Sequence, residues 1–232
     1  TSAMKMIASA KLHKAQDAIN NFLPYSDKLN SILSNLLSSD TGFDSPFANE
    51  REVKRVALVI WSSNSSLAGA FNSNVIKDFD RLYAELKQQV GSEENILVYP
   101  VGKKIAAAAK KRNVKLEGEY SEILDKVSYE QVSGLSYDLI NKFLKGEVDK
   151  IVLLYHHFKS VGSQVLVEKV LLPFDLDVSQ DDAQATDAYF SDYILEPSKE
   201  EILKALIPKV LVSRMYAAFL DTLASEHAAR TM

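Results

Sequence analysis

The hydrophobic positions along the chain fall into three zones with different periods. Over residues 1–39, Ala15, Ile19, Phe22, Tyr25 or Ser26, Leu29, Leu33 and Leu36 recur at alternating intervals of three and four. This heptad-like seam predicts one long amphipathic helix, roughly 60 Å in length at about 1.5 Å per residue. Pro24 falls inside it. Proline removes a backbone donor and crowds the preceding turn, so a kink held by a partner helix is expected there. Gly42 and Pro46 then break the pattern and mark residues 40–49 as a linker.

The middle zone, residues 50–190, alternates two kinds of pattern. Residues 53–61 (VKRVALVIW), 95–101 (NILVYPV) and 149–158 (DKIVLLYHHF) are short β-branched apolar runs of the kind that form buried strands. Between them, residues 72–89, 103–112 and 129–144 carry helical spacing, the first at Val75, Ile76, Phe79, Leu82, Tyr83 and Leu86. Residues 163–172 (SQVLVEKVLL) follow the third strand after a tight turn and are expected to pair with it antiparallel. Strand–helix–strand alternation predicts an α/β fold with a mostly parallel sheet and one antiparallel edge. Residues 175–187 hold five aspartates and no basic residue, which describes a solvated loop.

The last zone, residues 198–232, returns to the helical period. Ser198 with Glu201 forms a capping box, and Ile202, Leu206, Val210, Ala217, Leu220 and Leu223 or Ala224 make a second seam. Pro208 is a second expected bend, and no stop signal precedes the final residue. Two seamed helices of similar length bracketing one α/β domain are most economically paired antiparallel.

Charge and chemistry narrow the function. A net charge of −4 lacks the basic excess of a general nucleic-acid binder. Zero cysteines exclude disulfides, thiol nucleophiles and cysteine-ligated zinc. No apolar run approaches the ~20 residues that cross a bilayer, so no direct membrane insertion is expected. The loop 62–74 (SSNSSLAGAFNSN) follows a strand and opens a helix, where phosphate cradles are found. It has one glycine, Gly69, and no lysine before Lys77, so neither the dinucleotide nor the Walker pattern is present. A structural turn with Asn72 capping the helix is the expected arrangement. Lys103 and Lys104 begin a helix and are expected to face water. His156 and His157 are neighbours on a strand, point to opposite faces, and make a poor metal pair. Lys5, Lys11 and Lys14 precede any acidic residue, beside Met4 and Met6. That combination suits an adaptable basic surface meeting an acidic partner.

Four segments carry a family resemblance: SAMKMIASAKL at residues 2–12, LASEHAAR at 223–230, SNSSLAGAFNSN at 63–74 and YILEP at 193–197. The chain resembles the gamma subunits of F-type ATP synthases over its whole length. The resemblance implies an antiparallel coiled coil of residues 1–39 and 198–232 on a Rossmann-like domain at its foot. It also implies a non-catalytic rotor stalk, without cofactor or metal, turned by a membrane c ring and working inside a head of three alpha and three beta subunits. Met4, Lys5, Lys11, Glu226, His227, Arg230, Leu67, Gly69 and Asn72 then match positions that face the catalytic head. Tyr193, Leu195 and Glu196 match the region that meets the c ring and the epsilon subunit. The implied location is peripheral, on the cytoplasmic face of a bacterial inner membrane, or the matrix or stroma side in an organelle. Family members are expected to begin before Thr1 and continue beyond Met232. Asn64, Ser65 and Ser66 replace the family's usual acidic-basic-glycine trio, and Ala70 replaces a frequent glycine. The alternatives are a static coiled-coil scaffold, or an α/β enzyme with a polar cluster at its strand ends.

Overall fold

The computed structural model describes residues 2–38, 44–175 and 198–232. Helix α1 (Ser2–Ser38) is followed by β1 (Val56–Trp61), α2 (Phe71–Val90), β2 (Ile96–Val101) and α3 (Lys103–Lys111). Then come α4 (Tyr129–Leu144), β3 (Lys150–Ser160), β4 (Ser163–Leu172) and α5 (Lys199–Thr231). The strands form one sheet in the order β2-β1-β3-β4. β1 is parallel to both β2 and β3, and β4 is antiparallel to β3. The predicted elements appear in their predicted order, with no boundary moved by more than three residues.

The alternation of side chains along β1 divides the core. Ala57, Val59 and Trp61 face α1, α4 and α5, while Val56, Leu58 and Ile60 face α2 and α3. Every residue of β1 is buried, as expected for a central parallel strand covered on both sides. Asp149 holds the lower edge of this sheet. Its carboxylate accepts from the backbone N–H groups of Lys54 and Arg55 and pairs with Arg51 at 2.6 Å, joining the entrances of β1 and β3. Burial raises this carboxyl, but those donors outweigh it and hold the group below its usual range.

The long helices run antiparallel, because Ser26 meets Ser213 at one level and Lys5 meets Met232 at another. In α1 the seam closes through Ala8, Leu12, Ala15, Leu29, Leu33 and Leu36, all buried. Ser26, rather than the exposed Tyr25, takes the seam position, and its hydroxyl bonds that of Ser213 at 3.0 Å. Both helices continue through their prolines.

Helix α5 departs from a simple two-helix seam. Leu211, Val212, Met215 and Phe219 are buried along with Val210, Leu220, Leu223 and Ala224. The burial is almost circumferential because α5 lies between α1, α4 and β3, so its hydrophobic residues have partners on three sides. The Ser198 cap forms as expected, accepting from the N–H of Glu201. Phe47, in the stretch expected as a linker, is buried, and its carbonyl accepts from the N–H of Phe174. Of the expected acidic loop only Asp175 is among the described residues.

Candidate functional site at the helix ends

The first turns of α1, the last turns of α5 and the loop between β1 and α2 converge at one end of the molecule. The loop leaves the sheet beside the C-terminal ends of β1 and β3. Strand order reverses there, and open α/β sheets bind their ligands in such a crevice. In this chain the protein's own last helix closes it. Arg230 donates from Nη1 to the Ser66 carbonyl at 2.5 Å, and from Nη2 to the Ser65 carbonyl at 3.1 Å and the Ser65 hydroxyl at 2.8 Å. Its Nε donates to Glu226 at 3.0 Å. A few residues back, the Ser225 hydroxyl donates to the backbone carbonyl of His156 on β3.

The loop itself is fixed by short polar side chains. Asn72 does not cap α2, which starts one residue earlier at Phe71 with Ala70 as its cap position and no side-chain cap bond. Asn72 therefore sits inside the first turn, and its Oδ1 accepts from the N–H and hydroxyl of Ser63, tying the helix to the strand end. Ser62 and Asn64 cap α3 instead, accepting from the N–H groups of Ile105 and Lys103. A Cβ on Gly102 would lie 2.5 Å from the Ser62 hydroxyl oxygen, so only glycine permits this approach. Leu67 is held at φ 65° with 80% of its surface exposed, an unusual conformation for a leucine and an unusual display of apolar surface. Gly69, at φ 52°, faces the Ala229 carbonyl.

On α1, Met4, Met6 and Ile7 are exposed and surround Lys5, whose ammonium donates to the Met232 carbonyl. Lys11 is exposed one to two turns further along. Glu226 is 8% exposed. Burial raises its carboxyl above the ordinary range, opposed by the Arg230 guanidinium and by Lys11. His227 beside it is pushed down to about 4 by burial and by the same two cations, and is therefore neutral at pH 7.

Met4, Lys5, Lys11, Glu226, His227, Arg230, Leu67, Gly69 and Asn72 thus all lie at this end of the molecule. They differ in availability. Met4, Lys5, Lys11 and Leu67 present surface, whereas Glu226 and Arg230 are spent on each other and on the loop. Tyr193, Leu195 and Glu196 lie outside the described residues. Lys104, which sequence reasoning turned toward water, donates to the Ser66 hydroxyl at 2.6 Å. No local signal announced this, since the two residues are brought together only by the parallel pairing of β1 with β2. The histidines behave as adjacent strand residues must. His156 is buried and stacked on Phe71, while His157 is exposed and bonded to Asp221 at 2.7 Å. A groove of about 850 Å³ elsewhere, between α5 and the β3–β4 hairpin, mixes Arg51, Lys150, Lys169 and Arg214 with Glu50 and Asp221. Among the described residues no group of acidic, histidine or cysteine side chains could hold a metal.

The structure is thus a pair of long antiparallel helices packed on an α/β base, with the end of the last helix lying across the mouth of the sheet crevice. The fold matches the central stalk of the Tetrahymena thermophila mitochondrial ATP synthase at a TM-score of 0.69 and 21% identity, over 99% of this chain and 95% of that one. It matches a chain of the Euglena gracilis mitochondrial ATP synthase at 0.52 and 15% identity, over 96% and 81% of the two chains. The ATP synthase family model matches residues 1–232. The ATP synthase gamma chain of Bacteroides fragilis is 51% identical over the whole of this chain and 79% of its own length. That of Flavobacterium johnsoniae is 42% identical over 99% and 77%. The chain belongs to the ATP synthase gamma family and is a central-stalk subunit of that complex. Among the described residues no helix is long and apolar enough to cross a membrane.

Proposed function

We propose that the α1–α5 pair acts as a drive shaft between the membrane ring and the catalytic head, and that this chain performs no chemistry itself. One observation carries the reading: α1, α4, α5 and one face of the sheet share a single hydrophobic cluster. A twist applied to the α/β base is then delivered to the helix ends without a soft joint, because close-packed interiors resist deformation. A non-catalytic role fits a β1–α2 loop that lacks the Walker lysine and has Arg230 lodged against it.

In this proposal residues 1–39 and 198–232 are the shaft, 50–190 the foot and 40–49 the link between them. Met4, Lys5, Lys11, Leu67 and Gly69, all exposed, meet the alpha and beta subunits directly. Glu226, His227, Arg230 and Asn72, which are less exposed, complete that surface from beneath. Tyr193, Leu195 and Glu196 serve the c-ring and epsilon side. The chain works on the cytoplasmic face of a bacterial inner membrane, peripherally, with no nucleic-acid partner and no cofactor of its own.

Co-expression of the full-length protein with its alpha and beta subunits, followed by native mass spectrometry, tests the proposal. A 3:3:1 assembly with ATPase activity that the separated chain lacks is the expected outcome. A free monomer beside an active head, or turnover by the chain alone, would overturn it.

A further inference from the structure

The mouth of the closed crevice has a chemistry that shaft duty does not call for. Ser65 and Ser66 stand exposed where the family resemblance places a basic residue and a glycine. Each hydroxyl oxygen already accepts from a cation: Ser65 from Arg230 Nη2 at 2.8 Å, and Ser66 from Lys104 Nζ at 2.6 Å. A serine oxygen that accepts still carries its own O–H to donate, and an ammonium that spends one N–H keeps two more. Two hydroxyl donors and two ammonium donors therefore crowd a pair of adjacent residues whose Cα atoms are about 3.8 Å apart. The loop's acceptors are already engaged, since the Ser65 carbonyl takes bonds from Ser63, Asn72 and Arg230, and the Ser66 carbonyl one from Arg230. The nearby carboxylates are committed as well: Glu226 pairs with Arg230, and Asp125 accepts from Asn64. Such a set of donors suits a compact ligand with several acceptor oxygens and negative charge.

We infer that Ser65, Ser66, Lys104 and Arg230 form a binding site for a phosphate group, as inorganic phosphate or as the terminal phosphate of a nucleotide. The cations come from the start of α3 and the end of α5, so the site needs no glycine-rich lysine loop. A tetrahedral dianion can accept from both hydroxyls and from the Lys104 ammonium, charge-assisted at the lysine, while Arg230, bonded to the loop and to Glu226, adds positive charge beside it. The site lies at the strand-order reversal where α/β sheets hold anions. It binds without catalysing, and it does not rest on the shaft proposal.

Titration of the purified chain with inorganic phosphate, followed by amide chemical shifts at constant ionic strength, tests the site. Saturable shifts confined to residues around Ser65, Ser66 and Lys103–Lys104 are expected, with sulfate competing and chloride not. Lys104→Ala should weaken binding about tenfold, as should Ser65→Ala with Ser66→Ala, while the remaining amide spectrum stays unchanged. Adenosine triphosphate without magnesium should compete for the same site. Linear, unsaturable shifts would overturn the inference, and so would equal binding by Lys104→Ala. Binding of the nucleotide without binding of inorganic phosphate would also overturn it, because the base would then be the determinant.

Discussion

His156 shows how one buried side chain sets a pH response. Burial between Phe71 and the sheet pushes its pKa down to about 4, so the ring is neutral in the fold. In the unfolded chain it titrates near 6.5. As pH falls below that value the unfolded state takes up a proton first, and stability drains away until the folded ring protonates near pH 4. The full effect is up to about 3 kcal/mol. Glu226 acts in the opposite sense: its raised carboxyl is protonated more readily in the fold, so acidification favours the folded state at that site. The measurement that isolates His156 is therefore a comparison. The difference in melting temperature between wild type and His156→Leu should shift in favour of the variant from pH 6.5 to 4 and stay level above pH 7. A constant difference across the range would contradict the neutral buried ring. Gly102 gives a second prediction at this scale. Gly102→Ala places a methyl against Ser62 at positive φ, and should cost about 2–4 kcal/mol in denaturant unfolding.

Elements were legible where a period was long or a run was apolar, and less so where neighbours decided. The seam of α1 could be read because its partner lies on one side only. The choice between Tyr25 and Ser26 could not, since it depends on Ser213 arriving opposite from 187 residues away. The seam of α5 was visible but undercounted: packing on three sides buries residues that any single stripe leaves out. Asn72, expected to cap α2, stands two residues past its cap position, because an asparagine at a helix start looks the same whether it caps its own helix or clasps the preceding strand. Lys104 at Ser66 and Arg230 at Ser65 are tertiary meetings with no local trace. The one-sided seam of α1 also makes a prediction. Leu33 is fully buried and Leu23 is 46% exposed. Leu33→Ala should cost about 2–5 kcal/mol, whereas Leu23→Ala should stay within about 0.5 kcal/mol of wild type. Similar losses from both would mean that the helix pair does not hold this register in solution.

At the scale of the molecule, the basic, methionine-bearing end of α1 is the surface we propose for the contact with the catalytic head. Exposed charges acting across such a contact are screened by salt. Reversing Lys5 and Lys11 to glutamate should weaken assembly with the catalytic head severalfold and make it less sensitive to ionic strength. Unchanged affinity and unchanged salt dependence would remove these lysines from the contact.

The chain carries one tryptophan, and its position gives the molecule a built-in optical probe. Trp61 is the last residue of β1, wholly buried, with its ring 5.9 Å from that of Phe219 on α5. Any event that lifts the last helix from the sheet must wet this indole and redden its emission. Release of the helix and refolding can therefore be followed by fluorescence in the native sequence, without a label.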